Sequence, residues 1–442
     1  MRHEPSRGRP MRVPTGRVAR LARLGTVVAG AAGRGAWQAA RDIGQGNRPQ
    51  LAGLLATPAN ITRLAEELAR MRGAAMKLGQ LLSMDAGEVL PPDLAEILSR
   101  LRNDAHFMPP RQLKQVLTAQ WGDTWLREVR RFDVSPIAAA SIGQVHRAVL
   151  RDGREVAVKV QYPGVARSID SDIANVGALL RLSGLVPKGV DLAPYLDEAR
   201  KLLHEETDYL REGRNLAAFG QRLAASDRFV VPDYYRDWST ASVLTMSYVD
   251  GCPIEEAVAF APAARDRIAS DLVDLFLREL FQFQEMQSDP NFANYRIAAE
   301  GQRIVLLDFG ATRQIDPALV AQLRAFIAAG LHGDHATVET LARRMGLLSD
   351  EDRTDHQALI LSMIAMVFDA LRATPVLDFG QSDLLRRLQQ RAMAVADTGY
   401  APRPLPMDLL YLHRKIAGMF LLARRLRGRV PVQALLKDHG VC

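Results

Sequence analysis

Two short segments, SDPNFAN at residues 288–294 and IVLLDFG at residues 304–310, carry the strongest structural signal in this 442-residue sequence. The first segment places Asp289 five residues before Asn294, and the second leads through four apolar residues into Asp308. The apolar run predicts a short buried strand. Carboxylate and amide oxygens are hard ligands that suit Mg²⁺, which proteins hold through few side chains together with phosphate oxygens.

The same spacing is typical of protein kinases. These enzymes place a catalytic aspartate five residues before an asparagine that binds Mg²⁺, and an apolar strand then leads into Asp-Phe-Gly, whose aspartate also binds the metal. Asp289, Asn294 and Asp308 occupy the corresponding positions. We therefore predict an α+β, two-lobed, protein-kinase-like fold with a helical N-terminal extension and a mostly helical C-lobe.

Upstream, residues 134–149, the Asp-Gly pair at 152–153 and residues 155–160 predict a strand, a turn and a second strand. In the second strand three valines share one face, and Lys159 shares the other face with Ala157. A single lysine is usually a solvated surface group. This one follows a loop of small residues by about 19 positions, a spacing that suits a lysine reaching phosphates held under the loop.

The small-residue loop reads AAASIGQV at residues 138–145. Loops that cover phosphates usually contain glycine, because the backbone must approach the ligand closely. Three alanines keep the side chains small but restrict the backbone, and an alanine run by itself is most often helical. Together with Lys159, the loop becomes a candidate nucleotide-binding segment through Ala138, Ala139, Ala140, Ser141 and Gly143.

An acidic stretch, EETDYLRE at residues 205–212, falls in a helix predicted from residue 193 to about residue 222. A kinase-like fold needs a helical glutamate to pair with the strand lysine. Glu206 and Glu212 are six residues apart and would point about 120° from one another on a single helix. One of them could then face Lys159 while the other faces a different group. A solvated acidic helix face is the alternative.

A further motif, KLGQ, lies at residues 77–80 in a helix predicted from Asn60. Lys77 and Gln80 are three residues apart and share one helix face. Only 7 of the 57 basic residues are lysine, so a lysine beside glycine and glutamine stands out. An ordinary surface position is the alternative.

The net charge of +7 is concentrated in the first 24 residues, which hold seven arginines and one glutamate. The rest of the chain is nearly neutral. Nucleic-acid binding is therefore not expected, since it needs a basic face on the folded domain. The segment predicts either contact with anionic lipid or a solvated, disordered tail.

No membrane span is predicted, because the uncharged apolar runs fall well short of the roughly 20 residues that a span needs. The apolar stretch 409–427 is interrupted by His413, Arg414 and Lys415. The two cysteines are far apart in sequence and suggest neither a disulfide framework nor a zinc site. We expect a cytoplasmic protein with possible peripheral membrane contact.

These motifs and the apolar periodicity together divide the chain into four predicted segments. The predicted segments are a basic tail (1–24), a helical extension (25–131), a kinase-like N-lobe (132–250) and a kinase-like C-lobe (251–442). Within the C-lobe, the pattern predicts a long helix over residues 263–286 and a strand over residues 302–308. From Pro317 onward it predicts an almost entirely helical chain.

Taken together, these motifs resemble those of the AarF/UbiB atypical kinase-like family, whose members support ubiquinone biosynthesis. The resemblance covers roughly residues 60–440, and its motifs occur in the family's order. The alanine-rich loop and the Lys-x-Gly-Gln helix are not features of ordinary kinases. The matching segments are residues 77–80, 138–144, 156–159, 206–208, 289–294 and 308–310.

The resemblance implies ATP or ADP and Mg²⁺ as cofactors. By it, Lys159 should hold the phosphates of the nucleotide and pair with Glu212. Asn294 and Asp308 should hold Mg²⁺, and Asp289 takes the position of the catalytic base. The linker formed by Met246, Ser247, Tyr248 and Val249 resembles the hinge that receives adenine through backbone groups.

The resemblance also implies a regulatory contact. Lys77, in the motif that includes Gln80, should pair with the Glu206/Asp208 motif and lay the extension across the active site. Two departures from ordinary kinases are Gln287 in place of the catalytic-loop histidine and Asn291 in place of its lysine. No Ala-Pro-Glu motif follows Asp308, which argues against docking of a protein substrate.

The leading hypothesis is a kinase-like enzyme that depends on Mg²⁺ and ATP. It would hydrolyse ATP, or transfer the γ-phosphoryl group to a small or lipid-like acceptor, in quinone-lipid metabolism. A quinone or isoprenoid lipid is then the expected partner. A nucleotide-switched scaffold that organises a biosynthetic complex is one alternative. A small-molecule phosphotransferase is another, but it would not explain residues 77–80.

Overall fold

The computed structural model describes residues 73–75, 77–78, 107–183, 192–298, 302–351, 353–396 and 405–441. The predicted basic tail, the helix start at Asn60 and Gln80 lie outside the described residues. The chain divides into two compact units: residues 1–214 with 233–248, and residues 215–232 with 249–442. Residues 215–232 thus group with the second unit, whereas the sequence assigned them to the N-lobe.

The first unit contains both helices and strands. In chain order they are α1 (Pro110–Trp121), α2 (Trp125–Glu128), β1 (Val129–Phe132), β2 (Ala138–Ala139), β3 (Gly143–Leu150), β4 (Glu155–Gln161), α3 (Val165–Ser183), α4 (Ala193–Glu206), the first turns of α5 (Tyr209–Leu223) and β6 (Val243–Ser247). Residues 73–75 and 77–78 are also helical. The strands form one antiparallel sheet in the order β1-β3-β4-β6, and β2 pairs with the start of β3.

The valines of β4 lie on the buried face of this sheet. Val156, Val158 and Val160 are fully buried and belong to a hydrophobic cluster that includes Trp125 and apolar residues of α1. Lys159 lies on the opposite face of the strand. The predicted alternation along β4 is therefore present in the structure.

The hairpin begins later than predicted. β3 starts at Gly143 rather than near Val134, and between β1 and β3 only the two residues of β2 form a paired strand. The N–H group of Ala140 donates to the carbonyl of Gly143 at 2.9 Å, which closes a tight turn and ends the pairing. The predicted turn at 152–153 is present, and Gly153 has a φ of +92°, which glycine adopts without strain.

The single helix predicted over residues 193–222 is wrong, because the structure has two helices there. α4 ends at Glu206, and α5 begins three residues later. The Asp208 carboxylate accepts a hydrogen bond from the N–H group of Arg211 at 2.9 Å and so caps α5. Glu206 and Glu212 therefore lie on separate helices, and the angle expected for one helix does not apply.

The second unit is mostly helical. In chain order its elements are β5 (Phe229–Val230), β7 (Gly251–Pro253), α6 (Pro262–Arg278), β8 (Glu285–Gln287), β9 (Tyr295–Ala298), β10 (Ile304–Leu306), β11 (Thr312–Gln314), α7 (Pro317–His332), α8 (His335–Arg344), α9 (Thr354–Ala373), β12 (Leu377–Asp378), α10 (Leu384–Ala396), α11 (Met407–Arg425), β13 (Arg429–Val430) and α12 (Val432–Asp438). Its strands pair as β5-β10-β9-β7, β11-β8 and β12-β13.

The helix predicted over residues 263–286 is longer than the one in the structure. α6 stops at Arg278 and is followed by one π-helical turn over Glu279–Phe283. Gln284 then has a left-handed backbone with φ of +50°, which turns the chain out of the helix and into β8. The strand predicted over residues 302–308 is the shorter β10.

Within the described part of the chain, one helix, α9, is long and apolar enough to cross a membrane by length and composition. Its most apolar window has a mean hydropathy of 1.3 and is 11% buried. Length and composition do not distinguish a spanning helix from an apolar helix of a soluble protein. The sequence had predicted no span.

A series of buried hydrogen bonds links the segment just before α1 to the sheet of the first unit. Gln144 accepts the N–H of Met108 at its side-chain oxygen, and its amide nitrogen donates to Nε2 of His146, both at 2.8 Å. Nδ1 of His146 lies 2.8 Å from the carbonyl oxygen of Asp133 and therefore carries the proton. The imidazole is neutral and its nitrogens are satisfied. Burial lowers the pKa of His146 to about 4.

We expect the first unit to lose stability as the pH falls from 6.5 to about 4. In this range the unfolded imidazole binds a proton that the folded one excludes, which costs roughly 3 kcal/mol of folding free energy at the lower end. Urea unfolding followed by tryptophan fluorescence measures this, because the three described tryptophans, Trp121, Trp125 and Trp238, all belong to the first unit. The His146→Gln variant should lose most of this pH dependence. Parallel pH profiles for the wild type and the variant would contradict it.

Candidate active site

The first unit holds a buried ion pair between strand β4 and helix α5. Nζ of Lys159 donates to Oε1 and Oε2 of Glu212 at 2.7 and 3.0 Å, and the two side chains are 10% and 3% exposed. The same Nζ lies 5.1 Å from the ring centroid of Tyr209, within the range of a cation–π contact. The predicted lysine and glutamate are thus brought together.

Two local features give this pair its geometry. Lys159 lies on a strand with neighbours on both sides, opposite Val145 of β3 and Leu244 of β6. Glu212 lies in the first turn of α5, immediately after the Asp208 cap. The helix break that the sequence missed therefore sets where Glu212 points.

The alanine-rich loop lies at the start of β3. Ala138 and Ala139 are exposed and Ala140 is half-buried. At the base of the loop, a Cβ added to Gly143 would lie 2.4 Å from the carbonyl oxygen of Val160. Only glycine allows β3 and β4 to approach this closely, so the loop is held at one end by a position that admits no side chain.

A single carboxylate joins this loop to the N-terminal extension. Glu206 accepts a hydrogen bond from the Ser141 hydroxyl at 2.8 Å and forms an ion pair with Lys77, which is 4% exposed. The predicted contact between Lys77 and the 206–208 motif is thus made by Glu206. Asp208 caps α5 instead, and Gln80 lies outside the described residues.

The predicted hinge is part strand and part linker. Met246 and Ser247 belong to β6, where they pair with Ala157 and Val156. The N–H of Ser247 donates to Asp233 and that of Tyr248 donates to Glu155, both at 2.9 Å. These two N–H groups are therefore not available to an adenine ring. Val249 is the first residue after the boundary between the units.

In the second unit, a short loop brings the predicted catalytic and metal-binding residues together. Nδ2 of Asn294 donates to the carbonyl of Asp289 at 3.1 Å, and the carbonyl of Asn294 accepts the N–H of Leu307 at 3.0 Å. Asn291 caps the turn through its side chain, which accepts the N–H of Ala293 at 3.2 Å. These bonds tie the loop to the chain segment that carries Asp308.

The Asp-Phe-Gly motif is held by α5 residues that belong to the second unit. Oδ1 of Asp308 accepts the N–H of Gly310 at 2.9 Å. Phe309 is buried, its ring centroid lies 4.8 Å from that of Phe219, and Asn215 donates to its carbonyl at 3.1 Å. The buried Phe309 thus fixes the position of the motif, and with it the position of Asp308.

The donors in this loop fit Mg²⁺. Because Nδ2 of Asn294 is used within the loop, its amide oxygen can serve as a ligand to a cation, and the Asp308 carboxylate is the second candidate ligand. Mg²⁺ takes hard oxygen ligands and is commonly held by one or two protein groups plus phosphate oxygens. No group of three or more histidine, cysteine or acidic residues able to hold a metal occurs among the residues described.

Two basic residues of α11 contact the catalytic loop, and the sequence prediction missed both. Arg414 forms an ion pair with Asp289. Lys415, 1% exposed, pairs with Glu279 at 2.9 Å and donates to the carbonyl of Gln287 at 2.8 Å. Burial raises the pKa of Glu279, an effect that the Lys415 ammonium partly offsets. The sequence signal for these residues is a pair of adjacent charges inside a mostly apolar helix.

Comparison with known sequences identifies relatives that are named as atypical kinases. The sequence model of the ABC1 atypical kinase-like domain matches residues 100–342. The chain is 35% identical to the Caenorhabditis elegans protein named atypical kinase coq-8, mitochondrial, and 34% identical to the Saccharomyces cerevisiae protein named atypical kinase COQ8, mitochondrial. The alignments cover 99% and 96% of this chain, and 59% and 85% of the two relatives.

A solved structure with the same fold is that of Rv3197 from Mycobacterium tuberculosis in complex with erythromycin. The TM-score is 0.60 and the sequence identity is 26%, over 84% of this chain and 93% of that chain.

We expect Lys159→Met to destabilise the first unit by about 3 kcal/mol, because it leaves the Glu212 carboxylate buried without its partner. The double variant Lys159→Met/Glu212→Gln should recover much of that loss, since neither buried charge remains. Urea unfolding followed by tryptophan fluorescence provides the double-mutant cycle. A double variant whose loss equals the sum of the two single losses would mean that the pair is not coupled.

Proposed function

Since the chain belongs to the ABC1 atypical kinase-like family, we propose that it is a Mg²⁺-dependent enzyme that uses ATP. It either hydrolyses ATP or transfers the γ-phosphoryl group to a small or lipid-like acceptor in quinone-lipid metabolism. The observation that carries this proposal is the buried pair of Lys159 and Glu212, with Nζ to Oε1 at 2.7 Å. Kinase-like sites use such a pair to orient the lysine toward nucleotide phosphates.

In this proposal each residue has one task. The Lys159 ammonium neutralises phosphate oxygens, and Glu212 keeps it in place. Asn294 and Asp308 would hold Mg²⁺, which when bound supplies positive charge to the phosphoryl group. Asp289 accepts a hydrogen bond from the attacking water or hydroxyl and orients that oxygen for attack.

The alanine-rich loop would cover the phosphates. Its exposed Ala138 and Ala139 carry no bulk that would exclude a ligand, and Ser141 ties the loop to Glu206. The linker from Met246 to Val249 would receive adenine, through groups other than the N–H groups of Ser247 and Tyr248 that are already bonded.

A small or lipid-like acceptor suits the chain after Asp308. Asp316 already caps α7, where its side chain accepts the N–H of Ala318 at 2.9 Å, and α7 begins at Pro317. This leaves no long activation segment for docking a protein substrate. Two relatives are named as mitochondrial atypical kinases. For this chain we propose a quinone or isoprenoid acceptor reached by peripheral membrane contact.

A nucleotide-switched scaffold is the second candidate. Gln287 and Asn291 stand where ordinary kinases have the catalytic-loop histidine and lysine, and both are engaged in the loop's own hydrogen bonds. A protein of this kind would bind nucleotide through the same residues and change shape with little turnover.

The Asp308→Asn variant should lose Mg²⁺-dependent ATP turnover by about 100-fold or more, because the metal loses its carboxylate ligand. The measurement is phosphate release from purified protein, with and without a quinone-like lipid. Asp316→Asn, which keeps its capping oxygen eight residues further on, is the matched control. Full turnover in Asp308→Asn would refute the mechanism. Nucleotide binding without turnover in the wild type would favour the scaffold.

We expect Lys77→Ala to raise turnover or autophosphorylation. The substitution removes the ion pair with Glu206 and so releases the extension from the loop that Ser141 also ties to Glu206. Phosphate release and incorporation of labelled phosphate into the protein measure the two outcomes. Lys114→Ala, at an exposed position on α1, is the control and should leave both unchanged. Equal activity in the Lys77→Ala and wild-type proteins would contradict a regulatory role for the ion pair between Lys77 and Glu206.

A further inference from the structure

A cation from the C-terminal part of the second unit contacts the proposed catalytic base. Nη2 of Arg414, on α11, lies 2.5 Å from Oδ1 of Asp289, 125 residues earlier in the chain. The two side chains are only 13% and 17% exposed. A charge-assisted bond in such a partly buried place is screened less by water than a surface ion pair.

The contact uses one oxygen of the carboxylate and leaves the other. Within the described ranges, Oδ2 of Asp289 has no hydrogen-bond partner. The backbone carbonyl of Asp289 is also fixed, since it accepts from the side chains of Gln287 at 2.8 Å and Asn294 at 3.1 Å. The residue is therefore held at its carbonyl and at Oδ1, with Oδ2 as the group that can accept from an attacking oxygen.

Helix α11 is itself fixed to the catalytic loop. Lys415 donates to the carbonyl of Gln287, and a Cβ added to Gly418 would lie 2.3 Å from Cβ of Pro290. Residues 414, 415 and 418 thus contact the loop within a single turn of helix. Arg414 is consequently not a mobile surface cation that happens to lie near an acid.

The catalytic loop itself contains no cation. Residues 287–294 read QSDPNFAN, and Asn291, at the position of the ordinary catalytic-loop lysine, is occupied as a cap. We propose that Arg414 replaces this charge as a positioning residue. Its guanidinium holds Oδ1 of Asp289 and directs Oδ2 toward the attacking water or hydroxyl. This inference rests on the proposed function.

The test compares Arg414→Met, Arg414→Lys and Arg414→Ala in the full-length protein with MgATP. We expect Arg414→Met to lower kcat by about 10- to 100-fold, as a misplaced reacting group does, and to leave the Kd for MgATP within about 2-fold. Arg414→Lys should restore most of kcat. Added guanidinium ion at low millimolar concentration should partly rescue Arg414→Ala. Arg425→Met, at an exposed position on the same helix, is the matched control.

Two outcomes would overturn the inference. One is a wild-type kcat in Arg414→Met. The other is a parallel loss of kcat and MgATP affinity that neither lysine nor guanidinium restores, which would indicate a structural role alone. Arg414→Met should add little to the loss in Asp289→Asn, since Arg414 acts only through the Asp289 carboxylate.

The proposed function is judged separately in the same assay, by wild-type turnover and its loss in Asp308→Asn. If the wild type binds ATP without turnover, the proposed function fails. The ion pair between Arg414 and Asp289 is then tested by protein stability, in the absence of nucleotide. In that case, urea unfolding of Asp289→Asn, Arg414→Met and the double variant, followed by circular dichroism, must show coupling. Additive effects would overturn the role of Arg414.

Discussion

The cap that Asp208 forms on α5 separates two carboxylates that the rest of the first unit depends on. It ends one helix after Glu206 and starts another before Glu212. On one continuous helix these residues would be fixed by a common axis. On two helices, Glu206 can bind Lys77 while Glu212 binds Lys159. One hydrogen bond thus allows the extension and Lys159, the proposed phosphate-binding lysine, to be held independently.

In the second unit, helix α11 fixes the loop of residues 287–294 in a comparable way. In the proposed mechanism the loop carries the base Asp289 and the metal ligand Asn294, so its geometry must stay fixed when the nucleotide binds. Here the stiffness comes from α11, whose buried Lys415 bonds the carbonyl of Gln287 and pairs with Glu279. Leaving either charge buried without the other would be costly, so helix and loop are constrained to stay together.

Motifs with fixed local spacing were predictable from the sequence. The Asp-x4-Asn and Asp-Phe-Gly segments led to the kinase-like fold and the AarF/UbiB resemblance, which the family membership confirms. Features set by caps and tertiary packing were not. Periodicity runs through residues 193–222 without a break, because a single cap at Asp208 ends the helix without altering the apolar pattern. The role of Arg414 depends on a contact across 125 residues that no local pattern encodes.

The choice of lysine over arginine follows from the same packing. Among the described residues, Lys77, Lys159 and Lys415 are buried, whereas no arginine is. Each pairs with a glutamate: Glu206, Glu212 and Glu279, respectively. A compact ammonium has three donors, which one carboxylate and a neighbouring acceptor can largely satisfy. A guanidinium carries five in a rigid fork and would leave some unpaired in such a space. Only 7 of the 57 basic residues are lysine, yet every buried lysine or arginine in the described part of the chain is a lysine. Lys114, Lys201 and Lys437 are exposed, so lysine is the residue used where a cation is buried rather than a mark of burial in itself.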